Sequence, residues 1–268
     1  MSAIFFALTS FIGWGISDLF VTISARKLNA YSATFWSILI SVLCLSFYAP
    51  FAWKSLEQLT LNIFILNIFL GAVLMGGIIA YREGLIGGSS PIVVTIGASF
   101  NVVTTILSII FFKERLIMYQ VLAIVIIFIG IILSTLDLGK MTKRKLQIDK
   151  SLIFALIAMF LWGIYFTFIK IPVSQIGWFW PNYFSFLFFA PFVFLFLKMR
   201  KITLYGPTHN KAFLPLFLSV VLARGAELSF NLGIERGYTS IVAPIAGSNS
   251  ILFVILAALT LKDPVTRQ

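Results

Sequence analysis

Few residues in this chain are suited to chemistry, and those few are spaced as helix faces. Ser10, Trp14, Asp18 and Thr22 recur every four residues, a polar stripe along one side of the first apolar run. Hydrocarbon penalises such a stripe, so it is expected to face other helices or a wet cavity. Asp18 is about six residues, roughly 9 Å, from the end of that run, near enough to be hydrated. A carboxylate there can bind a proton or a substrate amine; the plainer alternative is a helix-packing or near-interface carboxylate. Arg224 and Glu227 stand three apart in a later run, with Asn231 four beyond, so all three share a face. Arg224 is about ten residues into its span, close to mid-bilayer. Two readings stand side by side: a self-neutralising i,i+3 ion pair, or a substrate clamp whose guanidinium takes carboxylates. Asn101 and Asn249 are weaker candidates that also serve as interhelical hydrogen-bonders. Trp14, Trp162 and Tyr165 can line a cavity and stack on flat solutes, with core packing as the alternative. Arg82-Glu83 and Glu235-Arg236 are expected at the membrane interface.

Enzyme chemistry finds little to work with. The one cysteine, Cys44, sits in an apolar run, and the one histidine, His209, in a polar loop. No thiolate metal site, disulfide framework or histidine-based catalysis follows from them. There is no Walker-type phosphate loop in the chain. The expectation is a non-enzyme with no cofactor and no metal.

The elements that carry these residues are membrane spans. Hydrophobic residues make up 60% of the chain and charged ones 11%, with a mean hydropathy of +1.04, more apolar surface than a water-soluble domain of this size can bury. The net charge of +11 resides in short loops between apolar runs, which suits anionic lipid headgroups rather than nucleic acid. Nine runs are long enough to cross a bilayer: 4–24, 31–53, 61–81, 91–112, 118–136, 152–171, 178–197, 213–234 and 240–261. Pro172 is expected to stop the sixth, and the polar stretch 137–150 separates two halves.

Those halves are copies. The stretch from Gly84 to Arg115 reappears from Gly233 to Pro264, a shift of 149 that pairs Gly84 with Gly233, Gly88 with Gly237, Ser99 with Ser248, Lys113 with Lys262 and Glu114 with Asp263. A second echo at shift 148 places Trp14 on Trp162 and Gly15 on Gly163. Positions present in both halves, the four glycines above all, read as scaffold where backbones approach closely. Polar residues found in one half only are the functional candidates. Asp18 meets Phe166, while Arg224 and Glu227 meet Met75 and Ile78. With five crossings per unit the second enters from the opposite side, an inverted repeat with a substrate site expected between the halves near the midplane. The fold expected is all-α and polytopic, with repeats at 1–148 and 149–268. The second repeat stops after its fourth helix, and a clipped reading frame is expected rather than a true nine-helix protein.

The Trp-Gly pair in the first helix of each half (Trp14-Gly15, Trp162-Gly163), the Gly-x-x-x-Gly-x-Ser/Thr approach to the fourth helix, the acidic residues Glu114 and Asp263 after it, and the runs Gly13 to Asp18 and Ser240 to Ile245 together resemble the EamA branch of the drug/metabolite transporter superfamily. The resemblance covers nearly the whole chain. It implies a ten-helix fold that carries small metabolites, often outward, and names no particular substrate. The function expected is a secondary transporter in the cell membrane, exporting a small metabolite or amino-acid-like solute by alternating access, with protons as the coupling ion. Its partners would be that solute and membrane lipids, with no nucleic acid, and it would be a monomer or homodimer. The alternatives are a flippase for a lipid-linked headgroup, with Arg224 on the phosphate, and an inactive membrane fragment. Two indications of orientation oppose each other. Most basic loop residues, including Lys27, Arg200, Lys201 and Lys211, fall on the side of the central linker, which puts that side in the cytoplasm and the N-terminus outside. The resemblance implies both termini inside.

Overall fold

The computed structural model describes residues 2–87, 93, 96–135 and 150–260. In hydrocarbon every backbone N–H and C=O must find a partner within its own segment, and among the described residues helices meet that demand. They are α1 (Ser2–Lys27), α2 (Ala30–Tyr48), the short α3 (Trp53–Leu56) reached through a 3₁₀ turn, α4 (Leu61–Gly87), α5 (Phe100–Phe112) and α6 (Met118–Thr135). The second half supplies α7 (Lys150–Phe168), α8 (Lys170–Ile176), α9 (Trp180–Met199), α10 (Phe213–Arg236), α11 (Thr239–Gly247) and α12 (Asn249–Thr260). Seven continuous or nearly continuous stretches are long and apolar enough to cross a membrane, and shorter apolar helices lie at Ile96–Phe112 and Met118–Ile131. These are the nine runs read from the sequence. Gly88, the start of the fourth run and residues 261–268 lie outside the described residues.

Two boundaries differ from expectation, each for a local reason. Pro172 does not stop the sixth span. The chain turns at Ile169 and resumes as α8, with Pro172 in its first turn, where a backbone N–H has no intrahelical acceptor anyway. The ninth span is one apolar run in sequence but two helices in space, interrupted at Ser248 (φ −73°, ψ 2°). Its duplicate position, Ser99, interrupts the fourth span in the same conformation (φ −74°, ψ 0°). Each serine makes an i→i+3 bond onward, to Val102 (3.0 Å) and Ile251 (2.9 Å), so a single 3₁₀ turn has been written twice.

The halves interlock by exchange. α1 packs along α10, while α4 packs along α7; the first span of each half therefore lies on the third span of the other. Serines on α1 fasten the first pairing: Ser10 Oγ donates to the Ala226 carbonyl (2.8 Å) and Ser17 Oγ to that of Ser219 (2.9 Å). With lipid outside, there is little hydrophobic drive between helices, so close backbone approach matters more. A Cβ added at Gly13 would lie 2.9 Å from Ala226 Cβ, and one at Gly237 2.6 Å from Ala3 Cβ. Gly84 and Gly233 are similarly hemmed in, by Ser151 and Val93 and by Val242. Large apolar side chains cover the outside, among them Phe5, Phe69, Ile126 and Leu214, as a lipid-facing surface requires.

Helix alternation defines two ends. One gathers the α1 start, α5 end, α8 and the α10–α11 turn, and is called here the N-terminal face. The other gathers Lys27, Arg200 and Lys211, the basic face. Two glycines in helices test how tightly the interior is packed. Gly163 of α7 lies directly under the Val103 side chain, whereas Gly225 of α10 has open space beside it. Gly163→Ala is expected to destabilise by about 1–3 kcal/mol through overpacking, and Gly225→Ala to be neutral or stabilising by up to about 1 kcal/mol. Unfolding of both variants in mixed micelles measures the contrast, and equal effects would contradict the packing described.

Candidate functional site

Asp18 is about nine residues from the α1 end at Lys27, or roughly 14 Å, deeper than the sequence indicated because α1 runs on past Ser24. Its Oδ2 accepts a 2.7 Å hydrogen bond from Asn249 Nδ2. Asn249 is the first residue of α12, so the amide that holds Asp18 is positioned by the break at Ser248. Arg82, expected at the interface, instead reaches inward from α4: its Nε donates to Thr34 Oγ1 of α2 (3.1 Å), and its charge acts on Asp18. A carboxylate, a guanidinium and an amide from both halves thus share one interior region. Thr22 donates within its own helix, to the Asp18 carbonyl (2.8 Å).

A second group sits deeper along α10. Arg224 Nη1 donates to Glu227 Oε2 at 2.5 Å, and its guanidinium lies 4.0 Å from the centre of the Phe186 ring on α9. The buried Tyr165 donates to Asn182 Oδ1 (3.2 Å) and lies within range of both charges. Asn231, on the same face of α10 in sequence, is not part of this group. It points toward the N-terminal face and donates to the Trp178 carbonyl (2.8 Å). Asn101 is also elsewhere, bonded to Ala98 in its own segment (3.1 Å) and fitted against Gly247, where no side chain could stand. There it joins α5 to α11.

Between the two polar groups runs an aromatic wall. Trp162 contacts Tyr81 (5.1 Å) and Phe100 (5.9 Å); Phe100 stacks on Phe166 (4.9 Å); Phe166 meets Trp14 (5.7 Å) and Phe230 (5.2 Å). Trp14 and Trp162, equivalent in the duplication, both belong to it, so the wall draws on both halves.

The N-terminal face is closed by a buried carboxylate. Glu114, just past α5, accepts from Lys170 Nζ (2.7 Å), the backbone N–H groups of Thr239 (2.9 Å) and Ser240 (2.8 Å), and Ser240 Oγ (2.5 Å). It caps α11 with negative charge where the helix dipole is positive. Lys170 also donates to the Gly237 carbonyl (3.1 Å). Burial alone would raise the Glu114 carboxyl, but the hydrogen bonds from Lys170 and Ser240 and the Lys170 charge outweigh it and hold the group below the ordinary carboxylate range. The basic face is fastened at more exposed positions, where Asn29 donates to the Thr203 carbonyl (2.8 Å), Trp36 to that of Tyr205 (2.8 Å) and Lys27 to that of Lys211 (3.2 Å). Glu83 takes a 2.8 Å bond from Arg200 and a 2.7 Å bond from Tyr31, and Arg200 is 56% exposed, the setting in which ion pairs contribute least.

The sequence of the EamA-like transporter family matches this chain over residues 1–136 and 149–268. The chain belongs to the EamA-like transporter family. It is therefore a multi-pass membrane protein of a family of transporters rather than enzymes. No curated protein matches it. One solved crystal structure superposes on 99% of this chain and 90% of its own with a TM-score of 0.80 and 14% sequence identity, a likeness of fold. Among the described residues no group of three His, Cys, Asp or Glu side chains could hold a metal.

Arg82 and Lys170 escaped the sequence reading although the one-half-only filter finds both: at shift 149 Arg82 meets Asn231, and at shift 148 Lys170 meets Thr22. Glu114 was passed over because Asp263 repeats it. Asn182 carried no signal beyond being polar in an apolar run.

Because Glu114 is depressed in the fold, its stabilisation is complete above the ordinary carboxylate range, falls away progressively as pH drops through and below that range, and is gone once the folded carboxyl also protonates. Glu114→Gln leaves Lys170 without its charge partner and is expected to lose roughly 3 kcal/mol. It should also flatten the acid end of the stability profile. Reversible unfolding in mixed micelles from neutral to acid pH checks both; an unchanged profile would show that the network contributes nothing.

Proposed function

We propose that this EamA-like protein is a secondary transporter of the cell membrane that exports a small, amino-acid-like metabolite by alternating access, with Asp18 as its proton-carrying group. The observation that carries this reading is the 2.7 Å bond from Asn249 to Asp18. It ties an ionisable group of one half to the interrupted ninth span of the other. Discontinuous helices at matching places in two repeats mark the solute and coupling-ion sites of such folds, and an ionisable residue at that depth is costly unless it is used.

The chemistry is a trade of partners. Charged Asp18 is held by the Asn249 amide and the field of Arg82; a proton on Asp18 weakens both interactions and frees α12 from α1. Opening toward the N-terminal face requires Glu114 to release Ser240, while opening toward the basic face requires the exposed Arg200–Glu83 contact and the bonds from Asn29 and Trp36 to the Thr203 and Tyr205 carbonyls to part. The aromatic wall then passes from one access route to the other as the α1–α10 and α4–α7 pairs rock.

Full-length protein in proteoliposomes with a trapped pH dye tests this. Individual amino acids and small organic acids are added, with or without an imposed pH gradient. At least one is expected to drive proton movement, and Asp18→Asn to reduce it to the level of empty vesicles while solute exchange persists. Proton movement that survives Asp18→Asn removes Asp18 from the mechanism; no solute moved under any gradient removes the transport reading.

A further inference from the structure

We infer that the solute carries a carboxylate, seated by Arg224 and Asn182, with a flat apolar body laid along the aromatic wall. This rests on the transport reading and names its substrate class.

The argument starts from donors left idle. Arg224 spends Nη1 on Glu227, yet its Nε is buried without a partner. Asn182, 2% exposed, accepts from Tyr165 at Oδ1, which turns its NH₂ the other way, and that Nδ2 is also buried and unpartnered. The remaining unpartnered buried side-chain atoms among the described residues are the Asn67 oxygen and the hydroxyls of Ser108, Thr239 and Ser250. The two idle N–H donors thus belong to neighbouring residues of one interior region. Phe186, one turn from Asn182 on α9, lies under the Arg224 guanidinium, and Tyr165, which donates to Asn182, lies within range of both charges of the pair.

A self-contained ion pair does not account for this. If Arg224 served only to neutralise Glu227, nothing would require a second idle buried donor in the same region, and leaving either group unmade is costly. A guanidinium presents donors as a planar fork, and the ligand that matches a fork with an added amide N–H is a planar two-oxygen acceptor. An ammonium headgroup has no lone pair to offer these donors, and a purely apolar solute would leave both idle. For the rest of the solute, Tyr165 adjoins Phe166 (5.1 Å), which continues into Trp14 and Phe230, and ring edges and faces favour a flat apolar body.

The test is equilibrium binding to the full-length protein in lipid nanodiscs, read by tryptophan fluorescence, with 3-phenylpropanoate and phenethylamine as probes of equal apolar body and opposite head. The wild type is expected to bind the carboxylate and not the amine. Arg224→Lys keeps the charge but loses the fork, and should weaken binding about tenfold. Asn182→Leu combined with Tyr165→Phe should weaken it severalfold while leaving the empty protein about as thermostable, because the pair deletes the unpaired buried donor together with both ends of the Tyr165–Asn182 bond. A merely structural asparagine would show the opposite, unchanged affinity with lower stability. Equal binding of the amine, or unchanged affinity in both variants, overturns the inference. Proton-driven flux of some other solute, without 3-phenylpropanoate binding, discards the carboxylate site and leaves the transport reading intact. Carboxylate binding with the expected variant effects, but no flux, keeps the site and discards transport.

Discussion

A charge cannot stand unpaired in hydrocarbon, and the pairing of Glu114 shows what that constraint does to this fold. The carboxylate comes from the first half, and all four of its donors come from the second: Lys170 on α8 and the Thr239–Ser240 end of α11. Neither half can satisfy it alone. The same is true of Asp18, whose amide partner sits on α12, and of the serines that bond α1 to α10. Apolar packing gives weak direction between membrane helices because lipid competes for the same surface. Polar groups that must be satisfied across the two halves therefore fix how the halves meet.

The two faces use this constraint unequally. At the N-terminal face the carboxylate is buried, so separating it from Lys170 and Ser240 would strand charge. At the basic face Arg200 is largely exposed and water can replace Glu83 as its partner. Separating the groups at the N-terminal face therefore costs more than parting the surface ion pair of the basic face.

Much of this was legible in the sequence because of its duplication. The nine apolar runs fell where the helices are, since length and hydropathy decide what spans a bilayer. The Asp18 and Arg224–Glu227 candidates emerged because a charge absent from the sister half is not demanded by the shared fold. What escaped detection depended on geometry that periodicity does not encode. The turn at Ser99 and Ser248 is visible as a matched serine but not as a break, because flanking residues remain apolar and helix-compatible. Pro172 read as a stop, although a proline in a first turn costs no hydrogen bond. Asn231 shares a helix face with Glu227, yet one turn along α10 carries it past the aromatic wall to the Trp178 carbonyl. Arg82 seemed terminal because charged pairs usually end spans, but α4 continues to Gly87 and carries Arg82 inward.

The asymmetry between halves is where duplication gives way to function. In a perfectly repeated protein each polar group would have a twin on the opposite side, and the two access states would bind every ligand alike; a solute that binds two states equally shifts neither. Here the scaffold is repeated, in the glycines, the Trp-Gly pairs and the serine turns, while the ionisable groups are divided. Asp18 and Arg82 belong to the first half, Arg224, Glu227 and Asn182 to the second, and the Trp14–Phe166–Phe230 contacts join the regions. The unequal set of ionisable groups is thus carried on helix pairs that cross between the halves, with Asp18 on α1 and Arg224 and Glu227 on the α10 that packs along it.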